Sequence, residues 1–149
     1  MALPDALRRD FWYPAAGPQP PVDLSQGRRW RHRQLEALLD LPADERPGFA
    51  AALAAGDAVA AANAAICLAR LGDGRGRERL IETIRSRELR LPLRCAAAEA
   101  LAELSAPSPL PALRELVDRY GDGSSPAYPA DLHAELLYGL AAHVEPGAD

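Results

Sequence analysis

Between Ala65 and Ala106 the apolar positions follow one spacing twice: Ala65, Leu68 and Leu71, then Ala98, Leu101 and Leu104, thirty-three residues later. Steps of three residues place each triplet along one face of a helix. The second half of the unit recurs as well, because Leu80, Glu82 and Ile84 stand thirty-three residues before Leu113, Glu115 and Val117. His32, Leu35 and Leu38 precede the first triplet by the same interval, so a degenerate copy opens the series. A fixed period of about 30 to 45 residues marks stacked helical hairpins. The pattern therefore predicts an all-α fold, a short α-solenoid of antiparallel helix pairs.

Helix boundaries follow from the breakers. Leu35, Leu38 and Leu39 give a first helix, and Asp44 with Pro47 opens its partner, which carries Phe49, Ala52 and Leu53 on one face and stops at Gly56. Asp57 is placed to cap a helix over Ala58–Leu71, which the glycines at 72, 74 and 76 end. A helix over Gly76–Arg87 follows, with Leu80, Ile81 and Ile84 inward and Arg79, Glu82 and Arg85 outward. Pro92 suits the first turn of the next helix, which runs to about Ser105, and Ser108-Pro109 starts another reaching Tyr120. The loop GDGSSPAYP lengthens the following interval to 36 residues, after which Ala134, Leu137 and Leu140 repeat the triplet. That last helix, over about Pro129–Val144, has no partner after it, so Leu132, Leu136 and Tyr138 are expected to offer apolar surface to something else.

Residues 1–29 differ in kind. Five prolines, at positions 4, 14, 18, 20 and 21, exclude a long helix or central strand and predict an extended arm. Phe11, Trp12 and Tyr13 form its aromatic cluster. Such a cluster needs a cover, either the chain's own helices or another protein. The sequence thus divides into an extended arm over residues 1–29 and a helical-repeat domain of about three and a half repeats over 30–149.

Composition sharpens this picture. Hydrophobic residues make up 48% of the chain and aromatics only 5%, so the core must be built from Ala and Leu, which favours closely spaced helices. Basic residues number 17, all Arg, against 21 acidic ones, and the net charge of −4 disfavours nucleic acid as a general partner. Cys67 and Cys95 fall in predicted helices and read as small buried thiols. No run approaches the ~18 apolar residues a bilayer span requires, and a cytoplasmic protein is expected.

Ala65-Ile-Cys-Leu68-Ala-Arg-Leu71-Gly72-Asp73 followed by Leu80-Ile-Glu-Thr-Ile84 resembles the HEAT-like repeat of the phycobilisome-lyase type. Ala98 to Val117 looks like a further copy in which Ser105-Ala106-Pro107 replaces Gly-Asp. The resemblance spans roughly residues 31 to 144. It implies a curved stack of helix pairs with the second helices lining a concave side, where partner surfaces are commonly found. Such repeats serve as scaffolds, regulatory subunits, bilin lyases and some DNA-repair enzymes, so the resemblance leaves activity open.

The remaining motifs have plainer readings. Arg28-Arg29-Trp30-Arg31-His32-Arg33 could pair with phosphate and stack on bases, but it also reads as a solvated helix start with Trp30 packed beneath it. Gly72-Asp73-Gly74-Arg75-Gly76 follows a helix and lacks the Lys-Ser/Thr ending of a phosphate loop, which makes it an inter-helix turn. His32, His133 and His143 are too scattered for a ligand set, and Asp131 and His133 point to different sides of one helix. No catalytic set, cofactor site or metal site is expected. Glu82 with Glu115, and Arg85 with Asp118, occupy equivalent positions and line up across the second helices. The expectation is a non-catalytic protein-binding module, a scaffold, adaptor or accessory subunit. Its contact residues would be Phe11, Trp12 and Tyr13, the strip of Glu82, Arg85, Glu115 and Asp118, and the last helix through Leu132, Leu136 and Tyr138. Its partner would be another protein. The alternatives are an enzyme of the bilin-lyase or DNA-glycosylase kind on the same stack, and a homo-oligomer closed by the final helix.

Overall fold

The computed structural model describes residue 7, residues 47–54, 56–104 and 108–120, and residues 132, 136, 137, 139 and 140. Among these the chain is all-α, with no strand. The helices are α1 (Pro47–Leu53), α2 (Ala58–Arg70), α3 (Arg77–Arg85), α4 (Leu91–Glu103) and α5 (Leu110–Tyr120), and a 3-10 turn at Gly74–Gly76 precedes α3. The described residues near the C-terminal end are helical too.

Local chemistry sets these limits. Asp57 lies outside α2 in an extended conformation, and its Oδ1 accepts the backbone N–H groups of Val59 and Ala60, each at 3.0 Å. This N-cap satisfies donors that the first turn leaves without intrahelical partners. At the other end Leu71 is the C-cap and Gly72 turns left-handed at φ 81°. The Asp73 N–H donates to the Leu68 carbonyl at 2.8 Å and the Gly72 N–H to that of Ala69 at 3.0 Å, the paired bonds of a Schellman motif. Asp73 then caps the 3-10 turn by accepting from the Arg75 N–H at 3.0 Å. Pro92 sits in the first turn of α4 as expected. The Ser108 hydroxyl accepts the Leu110 N–H at the start of α5.

α3 is shorter than the spacing predicts. Its helical hydrogen bonding begins only after the 3-10 turn and stops at Ser86, which turns extended. The end is held from outside: Arg94 of α4, almost wholly buried, donates from Nε at 3.0 Å and from its terminal nitrogen at 2.7 Å to the Ile84 carbonyl. A cation there also opposes the negative end of the helix dipole.

α2 is buried on nearly all sides, because α1, α3 and α4 all pack on it, and α4 packs in turn on α3. Alanines at 60, 61, 62, 64, 65 and 69 allow that crowding. The tightest approach is at Gly76, where a Cβ would stand 2.8 Å from both Cα and Cβ of Ala65. Larger side chains, Phe49, Ile66, Leu80, Ile84, Leu93, Leu101, Leu113 and Leu116, fill the space between helices. Burying each is worth roughly 1.5 to 3 kcal/mol.

The thirty-three-residue interval reappears in the element starts: α2 at Ala58 and α4 at Leu91 each run 13 residues, and α3 starts at Arg77 and α5 at Leu110. The triplets are equivalent in burial at two of three positions. Leu71, however, is 37% exposed while Leu104 is 3% exposed. The two C-caps differ: Leu71 stays near helical geometry before the Gly72 reversal, whereas Leu104 turns extended and carries its side chain back onto the core.

The final helical residues depart from the expected register. Leu132 and Leu136 are fully buried in the chain's own core, and Leu137 is 44% exposed. The inward face thus runs through Leu132, Leu136 and Gly139, with Leu140 packed partly buried against the core, and of the expected triplet it leaves Leu137 outside. Close approach explains the choice: a Cβ on Gly139 would meet the Cβ of Ala102 at 3.0 Å and Leu113 at 3.4 Å, so the backbone there rests directly on α4 and α5. Leu132 and Leu136 are consequently not an open apolar surface, which corrects the expectation that both await a partner.

Candidate functional site

The sequence-predicted strip lies on α3 and α5. On α3, Arg79 donates to Glu82 on its own helix at 2.9 Å and, through its other terminal nitrogen, to the Leu53 carbonyl at the end of α1 at 3.0 Å. Glu82 remains exposed. At the end of α3, Arg85 reaches across to Glu115 of α5, 2.9 Å from guanidinium nitrogen to carboxylate oxygen. Asp118 stands exposed one turn further along α5. Thus Arg85 and Glu115 are brought into contact, Glu115 and Asp118 share a face, and Glu82 is directed to Arg79. Exposed pairs of this kind contribute little to stability.

An open depression of about 640 Å³ borders the strip, and its described lining is Leu110, Pro111, Arg114, Glu115 and Asp118 of α5. That lining mixes apolar Leu110 and Pro111 with the Arg114 guanidinium and two carboxylates, of which Glu115 is paired with Arg85. Phe11, Trp12, Tyr13 and Tyr138 lie outside the described residues, as do His32, His133, His143 and the run from Arg28 to Arg33. Among the described residues no group of three or more His, Cys, Asp or Glu is placed to hold a metal ion, and no helix is long and apolar enough to cross a membrane.

The glycine-rich segment is an inter-helix turn whose polar groups are engaged with one another. The Arg75 side chain donates to both Asp73 oxygens, through Nε at 3.1 and 2.9 Å and a terminal nitrogen at 2.7 Å. Those bonds hold the Asp73 carboxyl below its ordinary range. Cys67 and Cys95 are buried thiols, as the sequence predicts, and neither is in a disulfide. Burial pushes the Cys67 thiol up to about 12, against a smaller opposing pull from Arg70. A thiol so placed carries negligible thiolate at neutral pH and is a poor nucleophile.

Two buried polar features went unread in the sequence. Arg70, at the end of α2, is paired with Glu99 at 2.8 Å and with Glu103, both on α4, and its side chain is 1% exposed. The signal was present, since Arg70 and Glu103 are thirty-three residues apart and so occupy the same place in successive units with opposite charge. The other is Asn63, fully buried on α2, whose Nδ2 donates to the Leu7 carbonyl at 2.9 Å. Leu7 is itself fully buried in the helical core. Compared with protein-family models, with curated proteins and with solved structures, the chain matches none.

Proposed function

We propose that this chain is a short stack of HEAT-like hairpins that acts as a non-catalytic protein-binding module in the cytoplasm, with the outer faces of the second helices as its contact surface. The observation that most supports the reading is the Arg85–Glu115 pair, which links α3 to α5, the two helices whose starts stand thirty-three residues apart. Glu82, one turn before Arg85 on α3, and Asp118, one turn after Glu115 on α5, are both exposed. The element starts at intervals of thirty-three residues support the stacked arrangement. Exposed carboxylates on α5 favour a partner segment carrying Arg or Lys beside an apolar residue.

The test is charge reversal on the strip. Glu82→Arg, Glu115→Arg and Asp118→Arg, combined in one tagged chain, should melt like the parent and lose the protein that the parent retains after cross-linking in its native cell. Phe11→Ala, Trp12→Ala and Tyr13→Ala form the second arm of the experiment. A partner retained equally by both variants defeats the reading. Tetrapyrrole absorbance on the purified chain, or DNA retention that falls steeply with salt, would move the assignment to the enzyme class.

A further inference from the structure

Position 63 breaks the repeating unit. Its counterpart thirty-three residues on is Ala96, fully buried, and the buried stretch of α2 on either side of Asn63 is apolar from Ala60 to Ala69. Helix stacking alone gives no reason for an amide there, since burying one is unfavourable unless its donors and acceptors are met. Here the amide meets main chain from 56 positions earlier: Asn63 Nδ2 donates to the Leu7 carbonyl at 2.9 Å. The Leu7 side chain is fully buried at the same place, so an apolar anchor and a main-chain reader coincide. Ala60 and Cys67, three before and four after Asn63, share its face of the helix and are small enough to let a chain lie across it.

We infer that the face of α2 around Asn63 is a peptide-binding slot for a leucine-bearing main-chain segment, filled in the folded chain by its own Leu7. Leu7 supplies the shape that is selected. Asn63 reads the backbone carbonyl, which any residue offers, so the anchor and not its neighbours decides what fits. This site is separate from the strip on α3 and α5 and does not depend on it.

Limited trypsin digestion of the full chain reads the seating, because Arg8 and Arg9 adjoin Leu7. In Asn63→Ala, and separately in Leu7→Asp, cleavage after Arg8 and Arg9 should rise at least tenfold over the parent while cleavage within residues 70–94 keeps its parental rate. Equal rates at Arg8 and Arg9 in all three proteins overturn the inference, and so does a rise at every site alike. A fluorescent synthetic peptide of residues 1–13 supplies the second measurement. It should bind the full-length Leu7→Asp chain saturably and the parent, whose slot is filled, at least tenfold more weakly. Binding to neither, or equally to both, overturns the assignment, as does a concentration-dependent dimer of the parent that Leu7→Asp abolishes.

Discussion

Cys67 and Arg70, one turn apart on α2, are buried for opposite reasons. The thiol is held protonated by its apolar surroundings up to about 12, whereas in the unfolded chain it ionises near its ordinary value of 9.0. Between those limits the folded state binds more protons than the unfolded one, so stability falls as pH rises above about 9, by ~1.4 kcal/mol per pH unit from this group. Urea unfolding at pH 8, 9 and 10 checks it: Cys67→Ala should show a flatter decline than the parent above pH 9 and the same behaviour below pH 8. Arg70 is charged and buried, and it is held there by Glu99 and Glu103 of α4. Arg70→Ala removes the guanidinium that neutralises two carboxylates in a low-dielectric setting, and should destabilise by roughly 3 to 5 kcal/mol. Arg70→Met with Glu99→Leu and Glu103→Gln should recover much of that loss, since a matched set without buried charge carries no ionic desolvation penalty.

Helix limits were legible wherever a side chain next in sequence fixes them. Asp57, Pro92 and Ser108 act on the backbone within three residues, and each marks a start that the spacing predicts. The end of α3 was not legible, because the group that satisfies it, Arg94, comes from the following helix. Nor was the 3-10 turn before α3, which arises where Gly76 presses on Ala65. Gly76→Ala should therefore cost about 1 to 3 kcal/mol, because backbone must move to admit the methyl group. Gly56→Ala is the control: nothing lies within 4 Å of its Cβ position. It should fall within about 0.5 kcal/mol of the parent. Thermal melting of the two variants side by side decides the matter.

For the molecule as a whole, the question is which face each helix turns inward. Leucines at 136 and 137 are adjacent in sequence and opposite in role, one fully buried and the other 44% exposed. Leu136→Asp should unfold the chain or lower its melting temperature by 10 °C or more, as expected when a charge is forced into a core of this size. Leu137→Asp should change it by less than about 2 °C. The reverse outcome would return the final helix to the register of the triplets and reopen its inner face to a partner. The strip on α3 and α5 follows the same logic with charges. The thirty-three-residue interval aligned Glu82 with Glu115 and Arg85 with Asp118, but it did not foresee that Arg85 would reach Glu115 on the neighbouring helix.

By itself the amino-acid order determined the helical class, the thirty-three-residue interval between helix starts, most starts and stops, and the burial of both thiols. All of these depend on periodicity and on interactions within a turn or two of chain. Tertiary structure decided the rest: the burial of Leu136 in place of Leu137, the Arg70 pairing inside the core, and the seating of Leu7 on Asn63. Each of those compares contacts between segments 29 to 56 positions apart or between backbones at van der Waals distance. Spacing along a single chain carries no measure of such distances, so only the packed molecule could choose among the registers its leucines allow.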